Sequence, residues 1–256
     1  MIPDLPALGF LALAAVLAGL VDAVVGGGGL IQIPALFSAL PGAAPATLFG
    51  TNKCASIVGT ASAAGRYLAR VRLPWATVLP AALAALAFAY AGAMAVAWLP
   101  KAALRPLMVV LLILVAAHTL LHRDFGQVHA PTRGGGRQLP YALALGAATG
   151  FYDGFFGPGT GSFLIFLFVR CFGFDFLHAS AAAKVVNVAT NLAALAYFLP
   201  HAHWLPGAAL VMALGNVTGS VVGTRLALRH GSGFVRKVFL AVVSALIGKF
   251  AWDTFL

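Results

Sequence analysis

Apolar residues fall in eight long blocks, at about 7–40, 46–66, 74–99, 102–121, 139–173, 178–199, 205–229 and 234–254, with Pro and Gly gathered at their ends. A helix needs roughly 20 mostly apolar residues to cross the hydrocarbon of a bilayer, and that length recurs along the chain. The first and fifth blocks are too long for one upright helix. Each is interrupted by glycine, at Gly26-Gly27-Gly28-Gly29 and at Gly157-Pro158-Gly159-Thr160-Gly161. Each therefore reads as two helical pieces joined by unwound backbone.

The two interrupted blocks belong to a longer repetition. An offset of 131 residues superposes Gly19 on Gly150, Asp22 on Asp153, Gly26 on Gly157 and Gly28 on Gly159. Without a gap it then places Lys53 on Lys184, Gly92 on Gly223 and Arg105 on Arg236. Two intramembrane Asp and two intramembrane Lys align in a chain where both types are scarce, which marks an internal duplication. The expected organisation is a first transmembrane repeat at 1–125, a basic cytoplasmic linker at 126–137 and a second repeat at 138–256.

Composition agrees with lipid as the solvent: of 256 residues, 61% are hydrophobic and 9% charged, against about 25% charged in soluble domains. The net charge of +10 comes from Lys and Arg in short connections between apolar blocks, where they act as orientation signals rather than as a nucleic-acid surface. If all eight blocks cross the membrane, these charges divide almost evenly between the two sides. If each Gly-broken block instead enters and leaves on one side, only Lys101 and Arg105 stay outside. Arg66, Arg70, Arg72, Arg123, Arg133, Arg137, Arg170, Arg225, Arg229, Arg236 and Lys237 then share the cytoplasmic face. The expected fold is an all-α integral membrane protein of two inverted repeats, each a Gly-broken (re-entrant or discontinuous) helix pair plus three transmembrane helices, with both termini outside. The N-terminus lacks the basic region of a cleavable signal, so the first block is expected to remain in place. Cys54 and Cys171 read as buried hydrophobes rather than a disulfide.

Non-helical backbone at membrane depth is tolerated only where protein or a water-filled cavity surrounds it, so the paired breaks point to a central site. The N–H groups of the half-helices that follow, starting near Leu30 and Ser162 and flanked by Gly28, Gly29, Gly159 and Gly161, suit an anion. A charge at mid-membrane costs about 2.5 to 3.5 kcal/mol on insertion scales, so Lys53 and Lys184 are expected to face a cavity or a partner. One reading pairs Lys53 with Asp22 and Lys184 with Asp153. The other turns both lysines toward a permeant anion, with Asp22 and Asp153 as candidates for proton coupling. Thr51, Asn52, Asn187 and Asn191 would line the route, and Ser56 and Thr60 match Asn187 and Asn191 in the first half. Gly215, Gly219 and Gly223 form a small-residue ridge for helix packing. The histidines sit mostly at loop ends, and His201 with His203 has no Cys or carboxylate beside it, so neither metal nor cofactor is expected.

Gly19-Leu20-Val21-Asp22 with its glycines, Gly150-Phe151-Tyr152-Asp153 with Gly157 and Gly159, and Gly50-Thr51-Asn52-Lys53 resemble the duplicated signature of the TauE/SafE-type sulfite exporter family. The resemblance covers essentially the whole chain, although Ala182-Ala183 stands before Lys184 where the first half has Thr51-Asn52. It implies transport of sulfite, sulfoacetate or related organosulfonates across a bacterial inner membrane, coupled to an ion gradient. A passive small-anion channel is the nearest alternative. Tyr152-Asp153 has no Gly-x-Gly-Asp partner motif, and neither Gly-x-Ser-x-Gly nor His-Glu-x-x-His occurs, so catalysis is not expected.

Overall fold

The computed structural model describes residues 4–95, 129, 138–201 and 203–255. The fourth apolar block, Lys101, Arg105, Arg123, Arg133, Arg137, His118 and His122 lie outside the described residues, as does the 126–137 linker apart from His129. Among the described residues every regular element is helical: α1 (Leu5–Val25), α2 (Gly29–Ala39), α3 (Pro45–Leu68), α4 (Trp75–Ala95), α5 (Gln138–Phe155), α6 (Thr160–Phe172), α7 (Phe176–Phe198) and α8 (Pro206–Phe255).

Local chemistry sets the boundaries. Asp4 caps α1 by accepting from the Ala7 N–H at 3.0 Å, and Asp175 caps α7 by accepting from the His178 N–H at 2.7 Å, each satisfying an amide that has no partner within its helix. Gly26 (φ 78°) and Gly173 (φ 70°) end α1 and α6 in the left-handed region that glycine enters without penalty. The seventh and eighth apolar blocks form two helical pieces within Pro206–Phe255. A kink divides them at Gly231, where φ is 69° and ψ −167°.

Among the described residues, α1, α4, α7 and the Pro206–Val242 part of α8 are long and apolar enough to cross a bilayer, whereas α2 and α6 are short apolar pieces. The outer faces carry Leu13, Leu17, Leu79, Leu83, Leu210 and Leu214, all at least half exposed, while Lys53, Lys184, Asp153 and several amides are buried. Polar groups inside and leucines outside are the distribution expected when lipid is the solvent. The chain is a multi-pass membrane protein.

The 131-residue offset recurs in three dimensions: α2 and α6, α3 and α7, and α4 and α8 begin at positions 131 apart. Each unbroken helix that precedes a glycine break packs on the fourth helix of the other half, α1 on α8 and α5 on α4. The approach is backbone to backbone. A Cβ on Gly19 would strike Asn216, one on Gly150 would strike Ala85, one on Gly92 would strike Phe151, and one on Gly223 would strike Leu20. These contacts are related by the same offset, and both helix pairs run parallel, as Val16 opposite Gly219 and Leu20 opposite Gly223 show. By contrast α3 and α7 run antiparallel. Gly50, near the start of α3, meets Phe198 and His203 at the end of α7.

Without a Cβ these glycines let dispersion contacts form at close range, the main source of helix association in lipid. Gly19→Ala and Gly150→Ala are expected to reduce the yield of monodisperse protein in detergent sharply. Gly9→Ala and Gly65→Ala, where a Cβ meets nothing within 4 Å, are expected to be neutral or stabilising by about 0.5–1 kcal/mol in thermal unfolding.

Candidate functional site

The two glycine breaks touch. A Cβ on Gly26 would run into the Gly161 backbone, and one on Gly161 would run into Gly26; Gly29 lies against Pro158. Loss of helical pairing at the end of α1 leaves the Ala23, Val24 and Val25 carbonyls without intrahelical donors. Three hydroxyls from three other helices satisfy them: Tyr67 Oη of α3 donates to Ala23 O (2.8 Å), Ser180 Oγ of α7 to Val24 O (3.0 Å) and Ser162 Oγ of α6 to Val25 O (2.8 Å). The second break closes on itself, with Tyr152 Oη donating to Pro158 O at 2.8 Å and Thr160 Oγ1 to Gly157 O at 2.8 Å. This accounts for unwound backbone deep in an apolar bundle.

The four intramembrane charges meet at these breaks, in a pairing other than the one expected within each half. Lys53 Nζ of α3 lies 2.6 Å from Asp153 Oδ2 of α5, and Lys184 Nζ of α7 lies 2.8 Å from Asp22 Oδ2 of α1. Each lysine is bound to the aspartate of the other half. The reason is the swapped packing, which carries α1 and α5 away from their own repeats. Lys184 is fully buried, and the Lys53 and Asp153 side chains are 5% and 7% exposed. In such surroundings an unpaired charge is far costlier than a paired one, so removing one partner of a buried pair costs about 3–5 kcal/mol. Asp22 gains further donors in Thr60 Oγ1 (3.4 Å) and the Gly28 N–H (3.4 Å). The Lys53 ammonium sits against Gly157, where a Cβ would stand 3.3 Å from Nζ.

The other candidate residues divide into structural and unpartnered groups. Thr51 Oγ1 donates to Thr47 O (2.7 Å) and accepts from the Leu205 N–H (2.9 Å), tying α3 to the start of α8. Gly28 and Gly161 are packing positions, since a Cβ would press on the Asp22 side chain or on Gly26. Gly159 holds φ 84°. Part of the half-helix amide set expected to face an anion is used locally: Leu30 N–H donates to Gly27 O, and Ile31 N–H and Gln32 N–H donate to Gly28 O. Asn52, Asn187 and Asn191 are all buried. Asn52 Oδ1, beside Lys53, and Asn187 Oδ1, one turn after Lys184, have no hydrogen-bond partner. A buried polar atom left so costs about 1–3 kcal/mol, and a solute or water beside the lysines would relieve it.

Gln32 was not among the expected residues. It is fully buried on α2, accepts from Ser56 Oγ at 3.2 Å, and leaves Nε2 unpartnered. A lone glutamine inside an apolar block was its signal. A second group not anticipated is His129, Asp175 and His178, whose ligand-type atoms lie within 4.8 Å of one another. Burial pushes the Asp175 carboxyl up, but hydrogen bonds from the His178 ring and backbone, with the charges of His178 and His129, outweigh it and hold the carboxyl below its ordinary value. The His129 ring stacks on His178 at 3.7 Å. Burial and the neighbouring His178 lower its pKa against the pull of Asp175. His201 and His203 stack at 6.2 Å.

Residues 11–250 match the model of the family described as Sulfite exporter TauE/SafE. A probable membrane transporter protein, ORF9, of a Sinorhizobium species is 37% identical over 239 residues, covering 93% of this chain and 90% of the relative. The probable membrane transporter protein YfcA of Escherichia coli K12 is 33% identical over 247 residues, covering 96% and 90%. A probable membrane transporter protein of Haemophilus influenzae is 30% identical over 240 residues, covering 92% and 91%. No solved structure matches the chain.

The crossed pairing makes a specific demand on double-mutant cycles. In thermal unfolding of purified protein, Lys53→Met with Asp153→Asn, and Lys184→Met with Asp22→Asn, are expected to show coupling of about 1–3 kcal/mol, each double variant being more stable than the sum of its single losses. Lys53→Met with Asp22→Asn is expected to be additive within about 0.5 kcal/mol.

Proposed function

Because this chain belongs to the sulfite exporter TauE/SafE family, we propose that it is a secondary transporter that exports small sulfur-containing anions across the bacterial inner membrane. Sulfite and organosulfonates such as sulfoacetate are the cargo class. The observation that carries the reading is the pair of crossed Lys–Asp bridges at the touching glycine breaks. The names of the relatives support a transporter rather than an enzyme.

At rest each lysine is neutralised by the aspartate of the other half, so the site holds no free positive charge for an anion. Protonation of Asp153 releases Lys53, and protonation of Asp22 releases Lys184. The freed ammonium groups then receive the anion, with the Asn52 and Asn187 amides and Asn191 along its route. Proton and anion thus occupy the site together, loss of the proton restores the bridges and expels the cargo, and the outward concentration gradient of the anion drives export with a proton leaving beside it. Both bridges join the two repeats, so breaking them also frees one repeat to rock against the other, alternating access from the two sides. Antiparallel α3 and α7, with the offset-related contacts, support inverted repeats; their bounds are 1–125 and 138–256, and both termini lie outside because the loop Arg and Lys residues then gather on the cytoplasmic face. The contact of Gly26 with Gly161 across the centre favours a carrier over an open pore.

Solid-supported-membrane electrophysiology on reconstituted protein tests the reading, with sulfite, sulfoacetate, sulfate and chloride as substrates. Wild type is expected to give saturable currents with the sulfur anions, and Lys53→Ala and Lys184→Ala to reduce them at least 10-fold at equal protein level. Asp153→Asn is expected to keep anion counterflow while losing the response to a proton gradient. Wild-type currents in both lysine variants would sink the assignment, and non-saturating ohmic currents would make the protein a channel.

A further inference from the structure

A second cationic centre lies well away from the crossed bridges. Arg66 lies in the last turn of α3 and Arg70 in the turn just after it, and Arg225 and Arg229 are one turn apart on α8 before its kink; together with Ala69 and Leu228 they line a cavity of about 460 Å³. Arg66 is 13 positions along α3 from Lys53, about 20 Å at the helical rise. Like charges at i,i+4 spacing repel one another, and here two such pairs face across one opening. The ion pairs among the described residues are Lys53–Asp153, Lys184–Asp22 and His178–Asp175, so no described carboxylate is bridged to any of the four arginines. The chain has six acidic residues in all. Arg66 Nε is buried and has no hydrogen-bond partner. Orientation alone requires only that arginines lie on one side of the membrane; it does not require four of them to converge on a cavity.

We infer that this cavity is a binding site for a tetrahedral oxyanion, a phosphate or sulfonate group held by the guanidinium forks of Arg66, Arg70, Arg225 and Arg229. The planar guanidinium matches the spacing of two oxygens on such a group and binds it in two-pronged fashion, whereas an ammonium acts only as a point charge. The end of α3 with the turn after it contributes one pair and α8 the other, so an anion bound here also ties the first half to the second. The headgroup of an anionic phospholipid in the adjoining leaflet and a free anion in solution offer the same chemistry.

Ligand-dependent thermal unfolding of delipidated protein, at constant ionic strength, separates these sources without relying on transport. One arm titrates short-chain phosphatidylglycerol against phosphatidylcholine, and the other titrates inorganic phosphate and sulfate. Stabilisation by phosphatidylglycerol alone would identify the lipid headgroup, and stabilisation by phosphate or sulfate would identify a soluble anion. In either arm, Arg66→Gln/Arg70→Gln/Arg225→Gln/Arg229→Gln is expected to weaken apparent affinity at least 10-fold. Arg170→Gln/Lys237→Gln, which removes exposed charge elsewhere, is expected to leave it within 2-fold. Should the Gln variant not fold, replacing the same four arginines by Lys keeps the charge for insertion and is expected to bind at least 3-fold more weakly. Equal affinity in wild type and the Gln or Lys variant, an equal loss in the Arg170/Lys237 control, or no stabilisation by any of these ligands would overturn the site.

Discussion

Two buried Lys–Asp bridges, each joining one repeat to the other, are the constraint from which the rest of the arrangement follows. Four formal charges stand where water is scarce, and each is tolerable only while its partner is within hydrogen-bond reach. The bridges therefore fix the positions of α1, α3, α5 and α7 relative to one another more stringently than apolar contact does. In lipid, one leucine neighbour is nearly as good as another, and association between helices rests on close packing and polar contacts.

Close packing comes from the glycines. Gly19, Gly92, Gly150 and Gly223 bring α1 onto α8 and α5 onto α4, and Gly26 and Gly161 bring the two breaks together. That approach makes the crossed bridges geometrically available, and it lets Ser162 and Ser180 reach the last carbonyls of α1 from the second half. Hydroxyl capping is thus as much a junction between repeats as a repair of one helix end. A change at the centre is felt by both halves, because the groups that satisfy one repeat are supplied by the other.

Positive charge is handled in two different ways in the same molecule. At the centre each lysine is matched one to one by an aspartate, leaving amide oxygens of Asn52 and Asn187 as the unsatisfied groups. Between the end of α3 and the stretch of α8 just before its Gly231 kink, four arginines converge with no described carboxylate bridged to them. The first arrangement neutralises its charge within the protein; the second does not. The difference follows from burial, since Arg70, Arg225 and Arg229 are exposed and keep their hydration whereas a buried lysine must be compensated by protein.

The residue pattern alone determined that the chain is helical and membrane-embedded, that two long apolar blocks are broken at glycines, and that Asp22, Lys53, Asp153 and Lys184 are the charges to watch. Those features rest on local physics: block length, glycine freedom and the cost of a charge in lipid. The pattern could not say which lysine meets which aspartate. Sequence proximity favours Lys53 with Asp22 and Lys184 with Asp153, and the opposite pairing arises only because α1 and α5 pack on the far half. Nor could it separate Thr51, committed to the Leu205 amide, from Asn52, left open beside it, because the two share a helix and differ only in what another element brings within reach. The His129–Asp175–His178 group and the four-arginine cavity escaped it for the same reason. Each depends on side chains far apart in sequence that only the tertiary structure brings together, His129 against Asp175 and His178, and the arginines at the end of α3 against those of α8.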